Sequence, residues 1–223
     1  MMRKSSMFKE HFDIAWGTVC SCGNEVFILQ NVHHPWDNDE FTIKIKCANC
    51  SHTVIIDREK ATNFYNEKIY SYFDNVEGTI LDLGCGGGFL SERLVRNVNV
   101  QKVIGLDLDD ASYSHLEKYN FEFISNDISN LNHIFEKDTL DYLVSRDVFM
   151  YIEDTDRYFD DVTHLINQGI YQMGWYMSNH PRMKNCLKPD EIVYEYRKHG
   201  WETEIEYLDW YKSGYFIRAI KKN

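Results

Sequence analysis

The stretch Thr79-Ile80-Leu81-Asp82-Leu83-Gly84-Cys85-Gly86-Gly87-Gly88-Phe89-Leu90 constrains the fold more than any other part of the chain. Ile80 to Leu83, apolar around one acid, predicts a short buried strand. Glycines at 84, 86 and 88 follow, and Ser91, Leu94 and Val95 open a helix. Strand, glycine turn and helix start are the means by which a doubly wound sheet brings a ligand against backbone amides. Glycine permits positive φ, and its missing Cβ lets a ligand lie on the main chain. The spacing D-x-G-x-G-x-G departs from two other glycine-rich turns. A dinucleotide fingerprint needs G-x-G-x-x-G, and counting from Gly84 or Gly86 ends on Phe89 or Ser91. A phosphate-cradling loop needs Gly-Lys-Ser/Thr, and the stretch has no lysine. A plain strand-to-helix turn without a ligand has the same look, so the residues downstream have to decide.

Lys102 to Asp107 reads as a second strand ending in an acid, 23 positions after Gly84. An acid at the tip of the second strand can accept hydrogen bonds from ribose hydroxyls. Capping of a helix over Asp109–Lys118 suits Asp109 or Asp110 better than Asp107. A third strand, Phe121 to Ile124, leads into Ser125-Asn126-Asp127-Ile128. A fourth, Leu140 to Ser145, runs into Arg146 and Asp147. Those two ionisable groups stand at the carboxyl end of a strand, where open α/β sheets place their ligands. An ion pair at the surface is the plainer reading of the same two residues.

These motifs resemble the class I S-adenosylmethionine-dependent methyltransferases, over roughly residues 60–223. The resemblance implies an α/β fold: a doubly wound, mostly parallel seven-stranded sheet with the fourth strand beside the first. It implies a fifth strand over Ile170–Met177, preceded by a turn of which Gly169 remains, and a closing hairpin at about 203–209 and 215–220. The cofactor would meet Asp82, Gly84, Cys85, Gly86 and Gly88 at the first strand, Asp107 and Leu108 at the second, and Arg146 at the fourth. Asp127 would accept from the adenine amino group, and the Ile128 N–H would meet a ring nitrogen. Alignment does most of the work of direct methyl displacement, and a base is needed only where the acceptor must lose a proton. Asp147, Tyr151 and His180 are the candidates by position. Trp175 and Asn179 would complete an acceptor pocket, with the helix of Asp57–Phe73 as a lid or as ordinary core packing.

The chain carries a net charge of −11, unevenly placed. The first seventy residues have 8 Lys and Arg against 9 Asp and Glu, and the rest 16 against 26. An acidic main domain repels a phosphate backbone. A small-molecule methyl acceptor is therefore expected. An RNA base, as in the zinc-finger guanine methyltransferases of ribosomal RNA, is the alternative, and a catalytically silent cofactor-binding or docking module is another. No apolar run reaches about 18 residues, so no membrane span is expected. Met1 to Ser6 has charge without an apolar run behind it, so a cytoplasmic protein without a secretory signal is expected.

Four of six cysteines form two close pairs, Cys20 with Cys22 and Cys47 with Cys50. In a reducing compartment such pairs suggest metal. Alternation at Phe41, Ile43 and Ile45, with apolar runs at Val26–Leu29 and Val54–Ile56, makes residues 18–56 two cysteine turns joined by strands. The arrangement resembles a zinc ribbon, which implies a structural zinc on all four thiolates. The C-x-C of the first pair departs from the usual C-x-x-C, while Gly23 suits a knuckle turn. His33, His34 or His52 could replace one cysteine. The expected boundaries are 1–57 for this module and 58–223 for the methyltransferase-like domain.

Overall fold

The computed structural model describes residues 19–25, 27–31, 43–56, 58–108, 113–208, 211 and 213–222. The chain forms two compact units, Met1–Ser71 and Tyr72–Asn223. In the first, β1 (Phe27–Asn31), β2 (Ile43–Cys47) and β3 (Thr53–Ile56) make an antiparallel sheet in the order β1-β2-β3. Phe27, Ile45 and Ile56 are buried in it. Helix α1 (Arg58–Ser71) follows, with Tyr65, Ile69 and Tyr70 buried.

The second unit is built on β4 (Gly78–Leu83), β5 (Val100–Asp107), β6 (Phe121–Ser125), β7 (Leu140–Arg146), β8 (Ile166–Trp175), β9 (Trp201–Leu208) and β10 (Gly214–Lys221). These seven pair in the order β6-β5-β4-β7-β8-β10-β9. Pairings from β6 through β8 are parallel, and β10 runs antiparallel to both of its neighbours. The last four residues of β4, Ile80-Leu81-Asp82-Leu83, are all buried, as a strand covered on both faces requires. Helices α2 (Phe89–Leu94), α3 (Leu131–Ile134), α4 (Thr155–Leu165) and α5 (Pro189–Lys198) complete the unit. Asp154 caps α4 by accepting from the Arg157 N–H, and Gly200 ends the α5 region at φ +86°.

The chain winds one way from β4 through β5 to β6, then returns to β7 on the other side of β4. Such a reversal opens a crevice at the carboxyl ends of the strands. Register makes that crevice a row of functional side chains. Leu83 pairs with both Leu106 and Ser145, so Gly84, Asp107 and Arg146 emerge together at one edge.

Two local expectations need correction. Strand β8 begins at Ile166 rather than Ile170, directly after α4. Gly169 is therefore no turn remnant. It is a strand residue beside Tyr142, whose ring atom Cε1 would stand 2.6 Å from a Cβ there. Of the stretch 109–118 expected as a helix, only residues 113–118 are described, and they hold a 3-10 turn at Ser114–Leu116. Asp109 and Asp110 lie outside the described residues.

Candidate active site

The glycine turn closes β4 with three left-handed residues, Gly84 at φ +67°, Gly86 at +51° and Gly88 at +74°. Each glycine has its own reason. A Cβ on Gly84 would meet Val148 Cγ2 at 2.3 Å, and one on Gly88 would press on Tyr113 and Leu116 at 3.1 Å. At Gly86 a Cβ would meet nothing within 4 Å. Gly86 thus leaves open space against the main chain, the kind of surface a ligand can approach closely.

The backbone amides of the turn are mostly used inside the protein. Gly84 and Cys85 donate to the Leu106 carbonyl at 2.7 and 3.2 Å, and Gly88 donates to Cys85 O at 2.9 Å. Gly86 N–H donates to Asp107 Oδ2 at 2.8 Å. The turn therefore offers close approach more than a ring of donors. On its carbonyl side Gly86 accepts from the Tyr113 hydroxyl at 2.7 Å.

Asp82 lies beneath this turn, 2% exposed, with Oδ2 accepting from Ser91 Oγ at 2.6 Å. Burial pushes its carboxyl up to about 6, with the Ser91 hydroxyl pulling the other way. Cys85 is buried in the turn, and burial, aided by the Asp82 charge, raises its thiol to about 12. Leu108, just past Asp107, is 65% exposed, and Phe89, just past the glycines, is 67% exposed. Asp127 is exposed and caps the 3-10 turn Ile128–Asn130 by accepting from Ser129 N–H at 2.8 Å. That N–H also holds its carboxyl below the ordinary value. Ile128 is half-buried against the main core.

The far side of the crevice is made by the ends of β7 and β8 and the β9–β10 turn. Asp147 adopts φ +59°, donates its N–H to Met173 O at 2.9 Å, and delivers Val148 beneath Gly84. Its Oδ2 accepts from the Tyr211 hydroxyl and stands 3.8 Å from Arg146 Nε. Burial and the Asp147 charge keep the Tyr211 phenol protonated far above its usual range. Tyr151 is 50% exposed. The segment after β8 is pinned here: Lys184 N–H donates to Met150 O at 2.7 Å, and Asn185 Nδ2 donates to Phe149 O and Ile152 O at 2.8 and 3.0 Å. His180 packs edge-on to Trp175 at 4.8 Å, and its Nδ1 accepts from Arg182 N–H at 3.2 Å. An imidazole accepting at Nδ1 presents Nε2–H on its other side. Asn179 is exposed at φ +61°. Asp82, Asp107, Arg146 and Asp147 are thus brought to one crevice. Tyr113 and Tyr211 belong to it without any pattern in the sequence to announce them.

Residues 80–169 match a family model described as a methyltransferase domain. Residues 80–169, from β4 into β8, thus carry a methyltransferase domain. No curated protein matches the chain. Among solved structures, a chain from the Haloferax volcanii complex of the Trm112 methyltransferase activator with a methyltransferase aligns at TM-score 0.61 and 16% identity, covering 73% of this chain and 91% of that one. The Haemonchus contortus phosphoethanolamine N-methyltransferase 2, bound to S-adenosyl-L-methionine, aligns at 0.59 and 17%, covering 71% of this chain and 52% of that one. A SAM-dependent methyltransferase from Aquifex aeolicus aligns at 0.56 and 15%, covering 70% and 88%. At these identities the likeness is one of fold.

Ahead of the methyltransferase domain, the small unit gathers Cys20, Cys22, Cys47 and Cys50 with all four Sγ within 4.8 Å of one another. Cys20 and Cys50 are 3.3 Å apart, Cys22 and Cys47 3.7 Å. Zinc–sulfur bonds of about 2.3 Å set tetrahedral sulfurs about 3.8 Å apart, so the donor set fits zinc. Both knuckles turn alike despite unequal spacing. Gly23 at φ +80° follows Cys22, and Ser51 at φ +64° follows Cys50. Asn24 and Asn49 donate to the sulfurs of Cys47 and Cys22 at 3.4 and 3.6 Å. The Cys50 backbone N–H is the largest influence lowering the Cys47 thiol to about 6. His52 is not in the cluster, and His33 and His34 lie outside the described residues. No helix among the described residues is long and apolar enough to cross a membrane.

Proposed function

We propose that this chain transfers a methyl group from S-adenosylmethionine to a small-molecule acceptor, and that its four cysteines hold one structural zinc. The open cradle over Gly86, bordered by Asp107, carries the reading. In it, Asp107 takes the ribose hydroxyls, Leu108 lies against the cofactor, and Asp127 with the Ile128 N–H meets the adenine. Arg146 stands at the amino-acid end. The bound cofactor supplies a methyl group on a sulfonium leaving group. The residues of the chain bind it, align it and exclude water.

The acceptor would lie toward Asp147, Tyr151, Trp175 and His180. Exposed Tyr151 and Met177 give this end apolar walls beside a few polar groups, as small-ligand sites have. Asp147, Tyr151 and His180 are the groups there that could take a proton from an acceptor. The acidic balance of residues 71–223, 16 Lys and Arg against 26 Asp and Glu, supports a small acceptor over a polynucleotide. The four-cysteine cluster favours a second reading, in which the acceptor is an RNA base and that module binds the RNA substrate.

Calorimetric titration with S-adenosylhomocysteine tests the cofactor site, with micromolar binding expected. Labelled S-adenosylmethionine offered with a metabolite extract and, separately, with total RNA tests the acceptor. Label in the small-molecule fraction is expected. Label in RNA would move the assignment to the second reading, and binding without transfer to either would reduce the chain to a cofactor-binding module.

A further inference from the structure

We infer that Tyr113 is a cofactor-positioning residue that holds the glycine turn in its ligand-receiving shape. The inference rests on the cofactor site proposed above. Gly86 is the residue over which the cradle opens, and its two peptide groups are gripped from opposite directions. Its N–H is held by Asp107 Oδ2 at 2.8 Å, and its carbonyl by the Tyr113 hydroxyl at 2.7 Å. The same hydroxyl lies 3.5 Å from Cys85 Sγ.

The tyrosine ring is itself fixed. It stacks on Phe123 at 4.5 Å with a 33° tilt and against Phe121 at 5.3 Å, both side chains of β6. Gly88 is where the ring needs room, since a Cβ there would meet Tyr113 Cδ1 at 3.1 Å. Tyr113 thus ties β6 to the exposed apex of the turn. A left-handed glycine with open space above it has many conformations to lose. Two fixed partners remove that freedom before the ligand arrives, which lowers the entropic cost of binding.

Tyr113→Phe keeps the ring and its stacking and removes the one hydroxyl. Titration with S-adenosylhomocysteine well below the melting temperature, where both proteins are fully folded, should show affinity lower by about three- to tenfold, the worth of one hydrogen bond. Amide exchange at Gly86 and Gly87 in the unliganded protein should quicken, while exchange in β4 and β5 stays as it was. A purely structural tyrosine would lower the melting temperature and leave both readouts unchanged. Unchanged or tighter binding in the variant, with wild-type protein binding normally, would overturn the inference, tighter binding marking Tyr113 as an obstruction. Wild-type protein that takes up no S-adenosylhomocysteine would overturn the cofactor site itself, and the role of Tyr113 with it.

Discussion

Tyr211 donates its hydroxyl to the carboxylate of Asp147 across 64 residues of sequence. The bond joins the β9–β10 turn to the end of β7, at a residue whose backbone is held left-handed. Such strain in a non-glycine residue is kept only where the surroundings over-determine it, and it concentrates at functional sites. Tyr211→Phe should cost about 1.5–3 kcal/mol in urea unfolding, as for other hydrogen bonds to charged groups. Turnover should fall while S-adenosylhomocysteine affinity stays close to wild type, because Asp147 faces the acceptor end. A variant that loses cofactor affinity to the same degree as turnover would move Asp147 to the cofactor side.

Gly84 and Gly86 make a matched pair. Both have positive φ, so alanine at either costs about 1–2 kcal/mol of backbone strain. Gly84→Ala also drives a Cβ into buried Val148, and its unfolding free energy should drop by about 2–4 kcal/mol in all. Gly86→Ala places its Cβ in open space. That variant should fold with only the strain cost, yet lose S-adenosylhomocysteine affinity by more than about tenfold, since the methyl fills the cradle. Equal affinities in Gly86→Ala and wild type would place the ligand elsewhere.

Asp107→Ala removes two things together, the charged partner of the ribose hydroxyls and the acceptor of the Gly86 N–H. Charge-assisted bonds of about 1.5–3 kcal/mol each predict a loss of about tenfold or more in S-adenosylhomocysteine affinity with the fold intact. Calorimetry on both proteins checks it, and an unchanged dissociation constant would remove Asp107 from the site.

The sheet was legible in the sequence because buried parallel strands leave short, mostly apolar runs, as in Ile80–Leu83 and Leu140–Ser145, each interrupted by one acid and followed by polar or glycine residues. The tips of those strands, and so Asp107, Arg146 and Asp147, could be read the same way. Gly169 misled because a glycine making room for Tyr142 within a strand has the same letter as one making a turn. Asp82 was legible as an acid in the motif but not as one turned beneath it toward Ser91. Tyr113 and Tyr211 were invisible because their partners, Gly86 and Asp147, are set by the winding of the chain rather than by local spacing.

Purified protein should carry one zinc per chain. Cys47→Ser should release it and unfold residues 19–56 while the 72–223 unit keeps its stability, because a module with so few buried side chains depends on metal for folding energy. Elemental analysis together with amide exchange reads both effects. Metal-free protein with four freely titrating thiols and a protected β1–β3 sheet would show that the sheet stands without zinc.

Asp82 makes the stability of the 72–223 unit depend on pH. Burial raises its carboxyl from the ordinary 3.8 to about 6. An acid whose folded pKa lies above its unfolded value binds its proton more tightly in the folded state. It therefore favours folding when protonated, and that advantage is lost as pH rises from about 4 to about 6, after which the penalty is constant. About two pKa units at about 1.36 kcal/mol each limit the loss to about 3 kcal/mol. Asp82→Asn keeps an acceptor for Ser91 Oγ and cannot ionise. Urea unfolding of both proteins between pH 4 and 7 should show the wild type losing up to about 3 kcal/mol relative to the variant, with the change centred near pH 5. Other carboxylates titrate in the same window, and subtracting the two curves removes them. A flat difference curve would mean that Asp82 ionises as an ordinary carboxylate and is not enclosed beneath the glycine turn.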